Sequence, residues 1–190
     1  METFEDRLNQ ILPKITSQEL LNNIGLGNEI GFYIFDYPPE KELQMREFLS
    51  FICSQLEKKY SNISFRHICL FDLIISYLKE RKLLEKTLKL NREKGDDAVL
   101  NALKAPLDAK KLSKVFVQKA EPEQNDLVLV SGVGSAYPML RSHSLLQNLH
   151  PLMGDTPLVM FYPGIYSGQD LCLFGRLNHN HYYRAFRLVP

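Results

Sequence analysis

Hydrophobic residues in this chain follow two patterns that alternate along its length. Short apolar runs rich in β-branched and aromatic residues are typical of strands, and segments in which apolar residues recur every three or four positions are typical of helices. The runs that predict strands lie at 29–36, 63–71, 126–131 and 157–162. Strands that alternate with helices predict an α/β fold of three layers, in which a mainly parallel, Rossmann-like sheet has right-handed crossovers.

Further segments complete this predicted fold. Apolar spacing predicts two short N-terminal helices at 3–12 and 17–24, split by Pro13, which we expect to form a cap. Residues 171–177 and 182–189 predict an antiparallel hairpin at the sheet edge. Between the strands, helical spacing predicts helices at 40–60, 73–91, 97–119 and 138–149.

Composition limits the domain count and the location of the protein. The 190 residues, 45% of them hydrophobic, can bury one substantial core, so we expect a single domain spanning 1–190. Cys53, Cys69 and Cys172 are odd in number and far apart, which indicates reduced thiols rather than disulfides or a zinc site. The chain has neither a secretory signal nor an apolar run of about 20 residues, so we expect a cytoplasmic protein without membrane contact.

Two glycines follow the strand predicted at 126–131, where α/β proteins often hold a phosphate. The residues after Gly132 lack the lysine of a Walker A loop, and those after Gly134 do not match a dinucleotide fingerprint. We therefore predict no cofactor. Two interpretations of Ser131, Gly132 and Gly134 stay open, because they can bind an anion beside the next helix or serve only as turn residues.

Polar residues at the ends of the predicted strands form a candidate pocket. Asp36, Asp72, Ser131 and the segment 162–164 would meet at the crevice where open α/β sheets bind ligands. Asp72 also suits a helix N-cap, and Asp36 suits the proline turn that follows it. Neither carboxylate has an evident base, nucleophile or metal partner in the sequence, so we predict that the protein is not an enzyme.

Histidines are the remaining candidates for chemistry. His143 falls on the apolar side of the helix predicted at 138–149, which favours a packed, hydrogen-bonded side chain over a catalytic one. His179 and His181 have the alternate spacing of two ligands on one strand, although polar residues are also usual in a hairpin turn. We predict no metal site.

Charge is uneven along the chain. The 23 basic and 22 acidic residues nearly cancel, but the segment 79–119 holds 12 basic and 6 acidic residues. This segment is either a solvated helical face with Glu–Lys pairs or a contact for DNA or an acidic protein. The residues that would contact nucleic acid are Lys82, Lys86, Lys89 and Arg92.

A set of motifs in the carboxyl half adds a resemblance to a known family. The run VSGVGSAYPMLRSHSLL at 130–146 is followed by PLVMFYPGIY at 157–166, LFGRL at 173–177 and YYRAF at 182–186. Together with FYIFDYPPE at 32–40, this combination resembles the BrxB family of bacterial BREX phage-defence systems over nearly the whole chain. The resemblance implies a small accessory protein encoded beside a DNA methyltransferase, a phosphatase-like PglZ protein and a large ATPase.

The same resemblance carries no catalytic residues across and implies a protein that acts by docking. We expect it to contact other BREX proteins, the PglZ-like protein first among them. The motif residues that we expect to form a structural or partner-binding surface are Arg141, Ser142, His143, Tyr162, Pro163, Gly164, Arg176, Tyr183 and Arg184. The alternatives are a degenerate nucleotide or phosphate sensor at 131–134 and a DNA-contacting subunit that uses 79–119.

Overall fold

The computed structural model describes residues 3–24, 31–178 and 185–190, and its architecture is the predicted α/β fold. The helices are α1 (Phe4–Ile15), α2 (Gln18–Leu21), α3 (Glu42–Lys59), α4 (Leu70–Glu80), α5 (Leu84–Leu103), α6 (Ala109–Ala120), α7 (Val133–Ala136) and α8 (Ser142–Leu149). The strands are β1 (Phe32–Tyr37), β2 (Phe65–Cys69), β3 (Leu127–Ser131), β4 (Leu158–Tyr166), β5 (Leu171–Leu173), β6 (Leu177–Asn178) and β7 (Phe186–Arg187). In the described part of the chain, no helix combines the length and the apolar character needed to cross a membrane.

The central sheet is parallel, as predicted. Its strands lie in the order β2-β3-β4-β1-β7, and each neighbouring pair is parallel. An antiparallel hairpin is also present, but it is formed by β5 and β6, with β5 pairing to β4. The predicted pairing of 171–177 with 182–189 is corrected, because the chain already reverses at Phe174–Gly175 and Phe186–Arg187 pairs with β1 instead.

Alternate side chains of the strands enter two cores, one on each face of the sheet. On the first face, Phe35, Leu129 and Phe161 pack with α1 and α3. On the second face, Ile34, Val130 and Met160 pack with α4, α6, α7 and α8. The N-terminal helix α1 is therefore part of a helical layer rather than a cap, because Leu8, Ile11 and Ile15 are buried in the first core.

Several helix boundaries differ from the prediction for local reasons. The helix predicted at 73–91 is interrupted after Glu80, where Lys82 takes a left-handed φ of 56°. The helical segment then breaks at Gly95, whose φ is 75°. The helix predicted from Pro138 begins instead at Ser142, because Arg141 before it is extended, with φ −99° and ψ 125°.

Asp36 joins three parts of the fold. Its Oδ1 accepts a hydrogen bond from Arg7 Nη2 at 2.8 Å, and its backbone oxygen accepts one from Arg7 Nη1 at 2.9 Å. Its Oδ2 accepts a hydrogen bond from the backbone N–H of Tyr166 at 2.9 Å. The Arg7 and Asp36 side chains are only 18% and 11% exposed. This ion pair therefore fixes α1 to the ends of β1 and β4.

Candidate functional site

The crevice predicted from the strand ends is divided between the two faces of the sheet. Asp36 pairs with Tyr162 in the β1–β4 register, and its carboxylate is held by Arg7 and by the backbone N–H of Tyr166. Ser131 and Asp72 line a cleft on the side of α3. Tyr162 lies in the core on the opposite face, beneath α7 and α8. The sheet therefore separates these polar residues into two distinct regions.

The first region is a surface formed by the start of α8, the end of β4 and the β5–β6 hairpin. We call it the motif surface and define it by Arg141, Ile165, Phe174, Gly175 and Arg176. Arg141, Gly175 and Arg176 are exposed, and Ile165 is 57% exposed although its neighbours in β4 are buried. The Ile165 Cδ1 atom lies 3.8 Å from the position of a Cβ added to Gly175, which places the isoleucine beside the hairpin turn.

The turn of the β5–β6 hairpin is held in an unusual conformation. Phe174 and Gly175 have left-handed φ values of 56° and 66°, and the N–H of Arg176 donates to the oxygen of Leu173 at 3.1 Å. A left-handed φ is costly for phenylalanine but not for glycine. The N–H of Phe174 also donates to the oxygen of Pro163 at 2.9 Å, which ties the turn to β4.

Gly134 accommodates the ring of Phe174. A Cβ at Gly134 would lie 2.9 Å from Phe174 Cε1 and 3.1 Å from Pro163 Cγ. The same ring meets Tyr137 edge-on, with 6.4 Å between the ring centroids. Gly134 therefore serves packing and does not line the cleft that contains Ser131 and Gly132, and an anion-binding role for Gly134 stays a prediction.

Other motif residues lie beneath this surface. Tyr162, Pro163 and Gly164 are buried, so they lie beneath the exposed residues of this surface. Burial raises the pKa of the Tyr162 hydroxyl, and a hydrogen bond with Ser142 opposes this rise. His143 is half-buried, and its Nε2 lies 3.0 Å from Ser144 Oγ. Arg141, Ser142, His143 and Tyr162 line one small cavity, so the structure brings these motif residues together.

The second region is a cleft of about 560 Å³ between α3 and the carboxyl ends of β2 and β3. His67 on β2 and Ser131 on β3 face it, and His67 Nε2 lies 2.8 Å from Ser131 Oγ. Gly132 adopts a φ of 70° at its rim, and an added Cβ would lie 2.6 Å from Cys69 Sγ. Ser131 and Gly132 therefore do line a possible ligand site, whereas Gly134 does not.

A chain of hydrogen bonds leads from the core to this cleft. The buried Tyr37 hydroxyl donates to Glu42 Oε2 at 2.5 Å, and Glu42 Oε1 accepts from Arg46 Nε at 2.7 Å. Arg46 Nη2 in turn donates to Ser135 Oγ at 3.2 Å. Burial raises the pKa of Tyr37 and the hydrogen bond to Glu42 raises the pKa of Arg46, so both groups keep their protons. The hydrogen bonds with Glu42 and Ser135 thus fix the orientation of the Arg46 guanidinium.

Partial burial governs the titration of the other cleft residues. It lowers the pKa of His67, an effect that the charge of Asp72 opposes, so the imidazole is neutral near pH 7. Burial raises the pKa of the Cys53 thiol to about 11 and also raises the pKa of Cys69. Both thiols therefore stay protonated. They provide weak hydrogen-bond donors rather than a thiolate nucleophile.

The basic residues predicted for nucleic-acid contact are all exposed. Lys82 lies in the turn after α4, and Lys86, Lys89 and Arg92 lie on the first half of α5. Lys89 Nζ is 3.8 Å from a carboxylate oxygen of Glu93, so part of this charge is paired along the helix. The segment thus combines solvated ion pairs with a positive excess.

Some predicted residues lie outside the described part of the chain. These are Tyr183 and Arg184, predicted for the partner-binding surface, and the two histidines, His179 and His181, considered for metal binding. Within the described residues, no group of three His, Cys, Asp or Glu side chains is placed to hold a metal ion.

Sequence reasoning missed the residues that complete the cleft, namely Arg46 and His67. Arg46 lies within a helix whose hydrophobic spacing drew attention to the other face. His67 is polar at an alternate position of β2, between Phe65 and Cys69. The available signal was that His67 is a polar residue among side chains that face the core. A polar side chain at such a position indicates that the helices do not fully cover this part of the sheet.

Comparisons with known proteins agree on one family. The family model described as BREX protein BrxB matches residues 66–188. The chain is 41% identical over 193 residues to "BREX protein BrxB" of Bacillus cereus (strain H3081.97), an alignment that covers 100% of this chain and 99% of that protein. It is 42% identical over 186 residues to "BREX protein BrxB" of Escherichia coli O9:H4 (strain HS), with 98% and 92% covered. No solved structure matches the chain.

Proposed function

Because the chain belongs to the BrxB family of BREX proteins, we propose that it is a noncatalytic docking subunit of a BREX phage-defence system and that it contacts the PglZ-like protein. The name of the relatives places them in BREX systems, and other BREX proteins are therefore the natural partners. The motif surface is the part of the molecule that we assign to this contact.

One observation carries the choice of surface. Arg141 and Arg176 are both exposed, and Arg141 lines a small cavity together with Leu171 and Leu173 of β5. The 57% exposed Ile165 lies beside Gly175, the chain neighbour of Arg176. Arginine forks bind carboxylates with two parallel hydrogen bonds, and an exposed apolar side chain on the same surface supplies buried area at an interface. We therefore expect the partner to present an acidic surface around an apolar pocket. The glycine and aromatic packing below keeps this surface rigid before binding, which limits the entropic cost of association.

The noncatalytic part of the proposal rests on the chemistry of the cleft. A serine nucleophile needs a base that a third group orients, as in a catalytic triad. His67 uses its Nε2 atom for the hydrogen bond with Ser131. Among the described residues, no carboxylate hydrogen-bonds the other ring nitrogen of His67, Nδ1. The raised pKa values of Cys53 and Cys69 disfavour a thiolate. These features favour binding over reaction.

Coexpression tests the proposal. The tagged chain is coexpressed with each other BREX protein, and we expect stable copurification with the PglZ-like protein. Reversing charge at Arg141→Glu and Arg176→Glu should abolish recovery of the partner, while the matched control Lys86→Glu with Lys89→Glu keeps it. Failure to copurify any BREX protein, or equal recovery by both double variants, would contradict the proposal.

Contact with DNA through α5 is the second candidate, favoured by the exposure of the four basic side chains at Lys82, Lys86, Lys89 and Arg92. Such a contact requires affinity to fall steeply with salt, because each neutralised phosphate releases counterions. Fluorescence anisotropy with duplex DNA across a salt series measures this slope. Affinity that does not change with salt, or that survives reversal of these charges, would refute it.

A further inference from the structure

The cleft between α3, β2 and β3 has the position and size of a small-molecule site. It lies at the carboxyl ends of two parallel strands, where open α/β sheets bind ligands. Its volume of about 560 Å³ falls within the range of about 300–1,000 Å³ that small-molecule pockets occupy. The helices of the first face leave it uncovered, and no residue of the motif surface lines it.

Hydrogen-bond donors gather at one end of the cleft. Arg46 has five N–H groups, of which Nε binds Glu42 and Nη2 binds Ser135. When His67 donates its Nε2 hydrogen to Ser131 Oγ, the Ser131 hydroxyl hydrogen can be donated to a ligand. Gly132 packs against the start of α4, since its Cβ position lies 3.2 Å from the nitrogen of Leu70. Guanidinium and hydroxyl groups together suit phosphate oxygens.

The charges of the lining limit how many phosphates the cleft can hold. Arg46 is its cation, and the lining contains no lysine. Asp72 and Glu57 add two carboxylates to the wall, and the charge of Asp72 acts on His67. Because Nε of Arg46 is already paired with Glu42, the rest of its guanidinium can balance only part of the charge of a single phosphate, and a triphosphate would place further negative charge near the carboxylates. The lining therefore favours a monophosphate over a polyphosphate.

The rest of the wall suits the remainder of a nucleotide. Asp72 and Glu57 can accept hydrogen bonds from sugar hydroxyls, and Leu49 and Phe71 supply apolar surface for a base. We infer that this cleft binds a nucleoside monophosphate, with the phosphate at Arg46, Ser131 and Ser135 and the sugar toward the carboxylates. This site does not depend on the docking function proposed above.

Calorimetry on the purified full chain tests the inference. The probes are AMP, GMP, CMP and UMP, with ATP, adenosine and inorganic phosphate for comparison. We expect at least one monophosphate to bind with Kd below about 1 mM. The corresponding triphosphate and nucleoside should each have a Kd at least about tenfold higher. Arg46→Gln and Ser131→Ala should each raise Kd at least about tenfold, which is typical of a lost charge-assisted contact.

Two controls separate binding from folding. Lys14→Gln removes an exposed cation on α1, outside both the cleft and the motif surface, and should leave the affinity unchanged. The unfolding temperature of each variant is measured without ligand. A second readout needs no variant, because saturating monophosphate should slow alkylation of Cys53 in the cleft wall. Absence of monophosphate binding, binding of inorganic phosphate alone, or equal affinity in Arg46→Gln and Ser131→Ala would each overturn the inference.

Discussion

Removing one partner of the ion pair between Arg7 and Asp36 should destabilise the fold strongly, because the other charge is left unpaired in a largely buried site. Asp36→Asn keeps the shape of the side chain but leaves the guanidinium of Arg7 without its anion in a site where the two side chains are 18% and 11% exposed. Breaking a buried ion pair by removing one partner costs about 3–5 kcal/mol. We expect a loss near the lower figure, about 3 kcal/mol, because the amide oxygen of the substituted side chain would still accept one hydrogen bond and the pair is not fully buried.

Urea and thermal unfolding, followed by circular dichroism, measure this loss. For a chain of this length, a loss of about 3 kcal/mol lowers the unfolding temperature by about 6–12 °C. The exposed pair Arg66–Glu121 is the matched control, with side chains 51% and 37% exposed, and Glu121→Gln should cost less than about 1 kcal/mol. Losses of similar size in Asp36→Asn and Glu121→Gln would refute the argument that burial sets the strength of these pairs.

Three further predictions concern glycine, cysteine and histidine. Gly164→Ala places a Cβ well inside van der Waals contact with the backbone oxygen of Cys172 and should cost about 3 kcal/mol or more in urea unfolding, whereas Gly154→Ala, with open space around it, should cost about 1 kcal/mol for its φ of 57°. Equal costs would show that β5 yields to the added methyl group. The Cys53 thiol, with a pKa of about 11, should react with iodoacetamide at pH 8 about a hundredfold more slowly than glutathione, and mass spectrometry would expose a contrary fast reaction. Because the pKa of His67 is lowered in the folded state, the unfolded chain binds its proton more readily, so stability should fall as the pH drops below about 6.5. His67→Gln should lessen that fall in urea titrations, and an unchanged pH dependence would contradict it.

Local pattern was sufficient to predict the layers of the fold. Runs such as 126–131 and 157–162 are buried strands, and helical spacing at 40–60 corresponds to α3. Local pattern could not show where the chain bends without an obvious breaker. The residues around Lys82 include no glycine or asparagine that would predict its left-handed φ. The hairpin at 171–178 depends on the packing of Phe174 against Gly134, which lies 40 residues earlier in the chain.

The candidate sites were predicted less completely, because they depend on which residues meet across elements. The motifs on β4 and at the start of α8 supply Arg141, Ser142, His143 and Tyr162, which line one small cavity, while their joint action stays a prediction. The cleft brings Arg46 of α3 and His67 of β2 into one lining, a combination that neither segment specifies alone. Burial of Tyr162 was likewise hidden, since a strand residue can face either layer until the helices are placed.

Hydrogen–deuterium exchange of the complex with the PglZ-like protein tests the docking account most directly. Amides at 139–142 and 171–177, which surround Arg141 and Arg176, should exchange more slowly in the complex than in the isolated chain. Amides at 82–92 should exchange at the same rate in both. Protection confined to 82–92 or to the cleft around His67, with none at the motif surface, would contradict the account.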